Sequence, residues 1–136
     1  MTTRNLLLSA LVLGAGLSSS GLGRAVADDT TVYELRTYTA APGKMAELQK
    51  RFRDHTVRIF EKHGMKSIGY WVPEKHPDTL IYLLEHKSRK DADKSWAAFM
   101  VDPEWTKVYK ESQKHGSLTS KVERVYLNPT DFSPLK

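Results

Sequence analysis

The 136-residue sequence contains no cysteine. That absence excludes disulfides, a thiolate nucleophile, a cysteine-ligated metal and a thiol acceptor for a lipid anchor. It permits an oxidising compartment, because nothing in the chain would be crosslinked there. A long hydrophobic run is also missing: the apolar stretch from Leu6 to Leu17 is too short to span a bilayer. The 5 histidines form no helix-spaced pair and no His-Glu-x-x-His, and Glu85 and His86 point to opposite faces of one strand, so no metal site is expected. Phosphate-loop, Gly-x-Ser-x-Gly and basic-aromatic nucleic-acid patterns are lacking too, no axial ligand for haem is evident, and no cofactor is indicated.

What is present begins with a leader. Arg4 precedes the apolar stretch, no acid occurs before Asp28, and small residues end in Ala25-Val26-Ala27. This is the pattern a signal peptidase reads, so residues 1–27 are expected to be a signal peptide cleaved after Ala27. Arg4 has no arginine neighbour, which favours general secretion over a twin-arginine route. The expected location is secreted or periplasmic, without stable membrane insertion after cleavage. Without Arg4 and Arg24 the 21 basic residues become 19 against 16 acids, a net charge of +3. The charges are interspersed, which describes a soluble surface rather than a nucleic-acid partner.

Residues 28–136 read as one domain. From Val32 to Thr39, Val32, Glu34, Arg36 and Tyr38 alternate with Tyr33, Leu35, Thr37 and Thr39, the period of a strand. Pro42-Gly43 breaks it, and Met45, Leu48, Phe52, His55, Thr56, Ile59, Phe60 and His63 then fall on one side of a helix, with Lys50, Arg51 and Asp54 among those on the other. Gly64 is a helix stop. Met65 to Val72 and Leu80 to His86 read as strands separated by a two-proline loop. Ser88 with Asp91, and Asp102-Pro103-Glu104, are two helix starts. The second of these helices is expected to bury Trp105, Val108, Tyr109 and Ser112, and to end at Lys114-His115-Gly116. Leu118 to Leu127 is a fourth strand, and Phe132 and Leu135 are expected to dock as a clip. The fold class is therefore α+β, a ferredoxin-like βαββαβ sandwich with an extra helix before the last strand. One sheet face would remain open and carry Tyr and Trp, which predicts a two-fold homodimer paired sheet to sheet.

Tyr33-Glu34-Leu35-Arg36-Thr37-Tyr38, Pro42-Gly43-Lys44, Gly69-Tyr70-Trp71, Asp102-Pro103-Glu104-Trp105 and Phe132-Ser133-Pro134-Leu135, in this order, resemble the NIPSNAP family over essentially the whole of residues 28–136. The resemblance implies a dimeric α/β-barrel, whose superfamily includes cofactor-free monooxygenases, isomerases, haem-containing dismutases and binding proteins. Such proteins commonly use a cavity between sheet and helices. It supplies no catalytic motif.

Candidate chemistry rests on few residues. His55, within the apolar stripe, is a candidate general base or holder of a ligand oxygen; otherwise it bonds a strand backbone. His63, in the last helical turn, suits a capping role. Arg36 either binds a substrate carboxylate or enolate oxygen, or makes an ion pair with Glu34 or an acid of a partner copy. Tyr38, Tyr70, Trp71, Tyr82 and Trp96 either line an aromatic ligand pocket or form core. Three functions follow: a binder of a small aromatic or polyketide-like molecule, a cofactor-independent monooxygenase or isomerase using Arg36 and His55, or a protein-interaction adaptor whose sheet-helix space is packed solid.

Overall fold

A computed structural model describes residues 30–136. The expected leader and its cleavage site lie outside the described residues. Four strands, β1 (Val32–Ala40), β2 (Lys66–Trp71), β3 (Thr79–His86) and β4 (Thr119–Leu127), form one antiparallel sheet in the order β2-β3-β1-β4. Between β1 and β2 runs a continuous helix of three segments: α1 (Met45–Arg51), a π-helical turn (Phe52–Thr56) and α2 (Val57–Lys62). Between β3 and β4 lie α3 (Arg89–Met100) and α4 (Pro103–Ser112). This is the ferredoxin-like α+β arrangement, with α4 as the additional helix.

Alternation along the strands sorts the sheet into two faces. Leu80, Tyr82, Leu84 and His86 of β3 are buried under the helices. Glu34, Arg36 and Tyr38 of β1 share that side, in register with Leu84, Tyr82 and Leu80. Phe52 and Phe60 meet the Tyr82 ring from above at centroid distances of 5.3 and 5.8 Å. The other face carries Leu35, Leu83, Val125, Leu127 and Trp71 and is covered by no helix.

The helix starts form as their caps require. Ser88 Oγ accepts from the Asp91 N–H at 3.0 Å, and Asp102 Oδ1 accepts from the N–H groups of Glu104 and Trp105 at 2.7 and 3.3 Å, with Pro103 in the first turn. Lys62 and His63 bond the other oxygen of Asp102 at 2.7 and 2.6 Å, tying the end of α2 to the start of α4. Those bonds, with the two backbone N–H groups, hold the Asp102 carboxyl well below the usual carboxylate range despite its desolvation.

Three expectations are corrected. The first helix is not uniformly α: Val57 N–H reaches back to the Phe52 carbonyl, one residue further than an α-helical bond. In α4 only Trp105 is fully buried, and Tyr109 is half exposed, because β4 stands apart from that helix and leaves a gap. The C-terminal segment does fold back, with Tyr33 Oη donating to the Lys136 carbonyl at 3.0 Å, but Phe132 is 84% exposed and does not dock.

The stop after α2 has the geometry of a Schellman motif. Met65 N–H bonds the Phe60 carbonyl and Gly64 N–H the Glu61 carbonyl, each at 3.0 Å, while Gly64 takes φ +77°. A Cβ at Gly64 would meet only Ser95 Oγ, at 3.8 Å, so the cost of a side chain is conformational rather than steric. Gly64→Ala should lower unfolding free energy by about 1 kcal/mol and Gly64→Asn by less, as read from urea midpoints.

Candidate functional site

Glu34, fully buried in β1, collects three donors from three directions. Arg36 Nη1 donates to Oε1 at 2.7 Å, Trp96 Nε1 from α3 donates to Oε2 at 2.6 Å, and His86 Nε2 from β3 lies 2.9 Å from Oε2. Burial by itself would raise the carboxyl, but the hydrogen bonds from His86, Trp96 and Arg36 outweigh it and hold Glu34 below its ordinary 4.5. The Arg36 guanidinium carbon lies over the Trp96 ring, 4.3 Å from its centroid, and Nη2 donates to Tyr38 Oη at 3.1 Å.

In front of this cluster is a cavity of ≈ 290 Å³ between the sheet and the helices. Arg36, Tyr38 and Trp96 line one wall, Arg51, Trp105 and Tyr109 the opposite one, and Val122 of β4 stands at the mouth with the exposed Met100. The strand β4 is largely uncovered by helices, which is why the space opens on that side. No carboxylate or imidazole lines it. Two guanidinium groups do, and the Nε of each is buried without a hydrogen-bond partner.

Of the residues singled out from the sequence, Arg36, Tyr38 and Trp96 are thus brought together. Tyr82 is fully buried beneath, at the core centre, and Tyr70 stacks on it at 5.4 Å while bonding Ser67 Oγ at 2.8 Å. Neither lines the cavity. Trp71 is corrected outright: it is 52% exposed, its alternation turning it to the open sheet face, where its ring lies over Gly69. His55 is also corrected. The extra residue in the π turn rotates it into solvent and puts Thr56 in its place. There it borders a larger, charged groove of ≈ 500 Å³ on the outer side of α1 and α4. Arg36 pairs with Glu34 of its own strand, on the helix side of the sheet.

Sequence reasoning missed Arg51 and His86. Arg51 belonged by uniform helical spacing to the polar side, yet it is only 7% exposed. His86 ends a strand without any local motif, and its partner Glu34 lies 52 residues away. Glu34→Gln leaves the Arg36 cation without its counter-charge, and should cost about 3 kcal/mol at pH 7. Because the folded carboxyl titrates below 4.5, its contribution is present above that pH and lost as pH falls through the folded value. The stability gap between wild type and Glu34→Gln, measured by urea denaturation, should therefore be constant near neutrality and shrink below about pH 4.5.

Comparison with known proteins places the fold. A NIPSNAP family protein of unknown function from Agrobacterium tumefaciens superposes with a TM-score of 0.69 at 26% identity, covering 79% of this chain and 96% of that one. A second NIPSNAP family protein from the same organism gives a TM-score of 0.70 at 28% identity, covering 78% and 99%. SnoaB, a cofactor-independent oxygenase from Streptomyces nogalater, gives 0.57 at 12% identity over 76% and 97%, a likeness of fold alone. No curated protein matches the sequence. The NIPSNAP family model matches residues 33–134, nearly the whole described domain, and the chain belongs to the NIPSNAP family.

Proposed function

We propose that this protein binds a small planar aromatic molecule in the sheet-helix cavity and does so as a homodimer. The observation that carries the reading is the cavity wall itself: Trp96, Trp105, Tyr38 and Phe99 surround a space that opens beside β4, with polar groups at a few defined points. Its ≈ 290 Å³ sits at the small end of ligand pockets, about 300–1,000 Å³, so one or two fused rings fit better than an extended polyketide. An adaptor with a solid core is not supported by such a space. The oxygenase or isomerase reading would place a base there, and the lining residues supply phenols and guanidinium groups instead. Binding is therefore favoured over turnover.

Calorimetric titration with 2-naphthamide, a neutral two-ring probe, should give saturable binding. Val122→Trp, at a half-exposed strand position at the mouth, should abolish it while leaving the far-ultraviolet circular dichroism unchanged. Failure of the probe to bind, or unaltered binding in the variant, would defeat the cavity reading.

The dimer is supported by the open sheet face. Leu35, Leu83, Val125 and Leu127 form an apolar strip on it, and its two edges each present both signs of charge, Lys66 with Glu85 and Lys121 with Glu123. A two-fold operation can set acid against base around an apolar centre, which suits a second copy of the chain. Sedimentation equilibrium should give twice the chain mass for the wild type and the single mass for Val125→Lys; a wild type of single mass sinks the dimer.

A further inference from the structure

The cavity contains a cation that no acid neutralises. Arg51 emerges where α1 passes into the π turn, and its guanidinium lies over the adjacent Trp105 and Tyr109 rings of α4, at 5.3 and 5.7 Å from their centroids. Its single side-chain hydrogen bond runs from Nη1 to Ser112 Oγ, at 3.1 Å. A guanidinium has five N–H donors, and here Nε is buried with none of its bonding satisfied. Burial lowers the pKa of the group, the neighbouring tyrosines offset this only in part, and the arginine remains a cation at neutral pH.

The acids nearest to it are engaged elsewhere. Glu47, Asp54, Glu104 and Glu111, which line the outer groove beside Arg51, pair respectively with Lys44, Lys50, Arg58 and Lys114. The other cavity cation, Arg36, is neutralised by Glu34. Among the described residues Arg51 thus carries the one charge on the cavity wall that has no acid partner. A buried charge of this kind is stable only when something pairs with it, and its planar fork matches two oxygens of one carboxylate.

We propose that the ligand is an aromatic carboxylate whose anionic oxygens pair with the Arg51 guanidinium while its ring lies among Trp96, Phe99 and Trp105. Tyr38, whose hydroxyl accepts from Arg36 Nη2, lines the same cavity and adds a polar group beside the ring site. The inference rests on the cavity reading above and adds the charge of the ligand to it.

The test compares 2-naphthoate with the isosteric neutral 2-naphthamide by calorimetry on the full chain. Wild type should bind the carboxylate at least about tenfold more tightly, the factor expected when a hydrogen bond involves a charged partner. Arg51→Met should erase that preference, so that the two probes bind within about twofold of each other. Equal wild-type affinities for the two probes would overturn the inference and leave the cavity reading standing, whereas failure of both probes to bind would remove the cavity reading as well. A preference that survives Arg51→Met would also overturn it and point to Arg36 as the reader. Should Arg51→Met fail to fold, Arg51→Lys is read instead: the cation is kept but the fork is lost, so the preference should fall at least about threefold. An undiminished preference in the lysine variant overturns the inference.

Discussion

A carboxylate taken out of water has to find donors, and in this domain β1, β3 and α3 are held together by that requirement. Glu34 sits in the middle of the sheet and receives bonds from its own strand through Arg36, from β3 through His86 and from α3 through Trp96. None of these three is at home in a core without the others. Arg36 needs the negative charge, the indole N–H needs an acceptor, and His86, 2% exposed, needs a partner for Nε2. Because the donors come from separate elements, the cluster specifies how α3 sits on the sheet. An apolar replacement of equal volume would fill space without setting that position.

The same cluster shapes the site. By holding the Trp96 ring against Arg36, it makes a flat polar and aromatic wall on the sheet side of the cavity. The opposite wall depends on a different device, the π turn. Arg51, three residues after the buried Leu48, ends α1 facing α4, and the turn that follows it directs His55 outward to solvent, so the cavity is offered a guanidinium and no imidazole. The two walls are chemically unequal in consequence: one cation is neutralised within its own strand, the other stands without an acid. π turns often mark functional segments, and here the geometric effect of one is visible in which side chain reaches the space.

The far side of the sheet follows from the same two-layer plan. With all helices on one face, the outward residues of β1, β3 and β4 gather into an apolar strip, and the charged side chains lie toward its edges. Family membership agrees with this architecture but brings no activity of its own, since the similar Agrobacterium structure is itself described as having unknown function. What the protein does must be argued from its cavity.

Much of this was legible in the order of residues. Strand alternation, the caps at Ser88 and Asp102, and the stop at Gly64 are local signals, set by hydrogen bonds within a few residues, and they placed the elements and hence the fold. One signal in the first helix was present but easily passed over. Leu48, Phe52, Thr56 and Phe60 recur at strict four-residue spacing, which in a uniform α-helix would leave the first and last about 120° apart around the axis. All four are buried, and the wider π turn is what reconciles them. Other features were decided only by tertiary structure. That Glu34 meets Trp96 across 62 residues, that Arg51 finds no acid because four neighbouring carboxylates already have partners, and that Trp71 lies outside the cavity all depend on how elements distant in sequence are packed. Local sequence determines which way a strand or helix presents its side chains; which of those side chains share a buried space, and whether their charges balance there, is a property of the assembled layers.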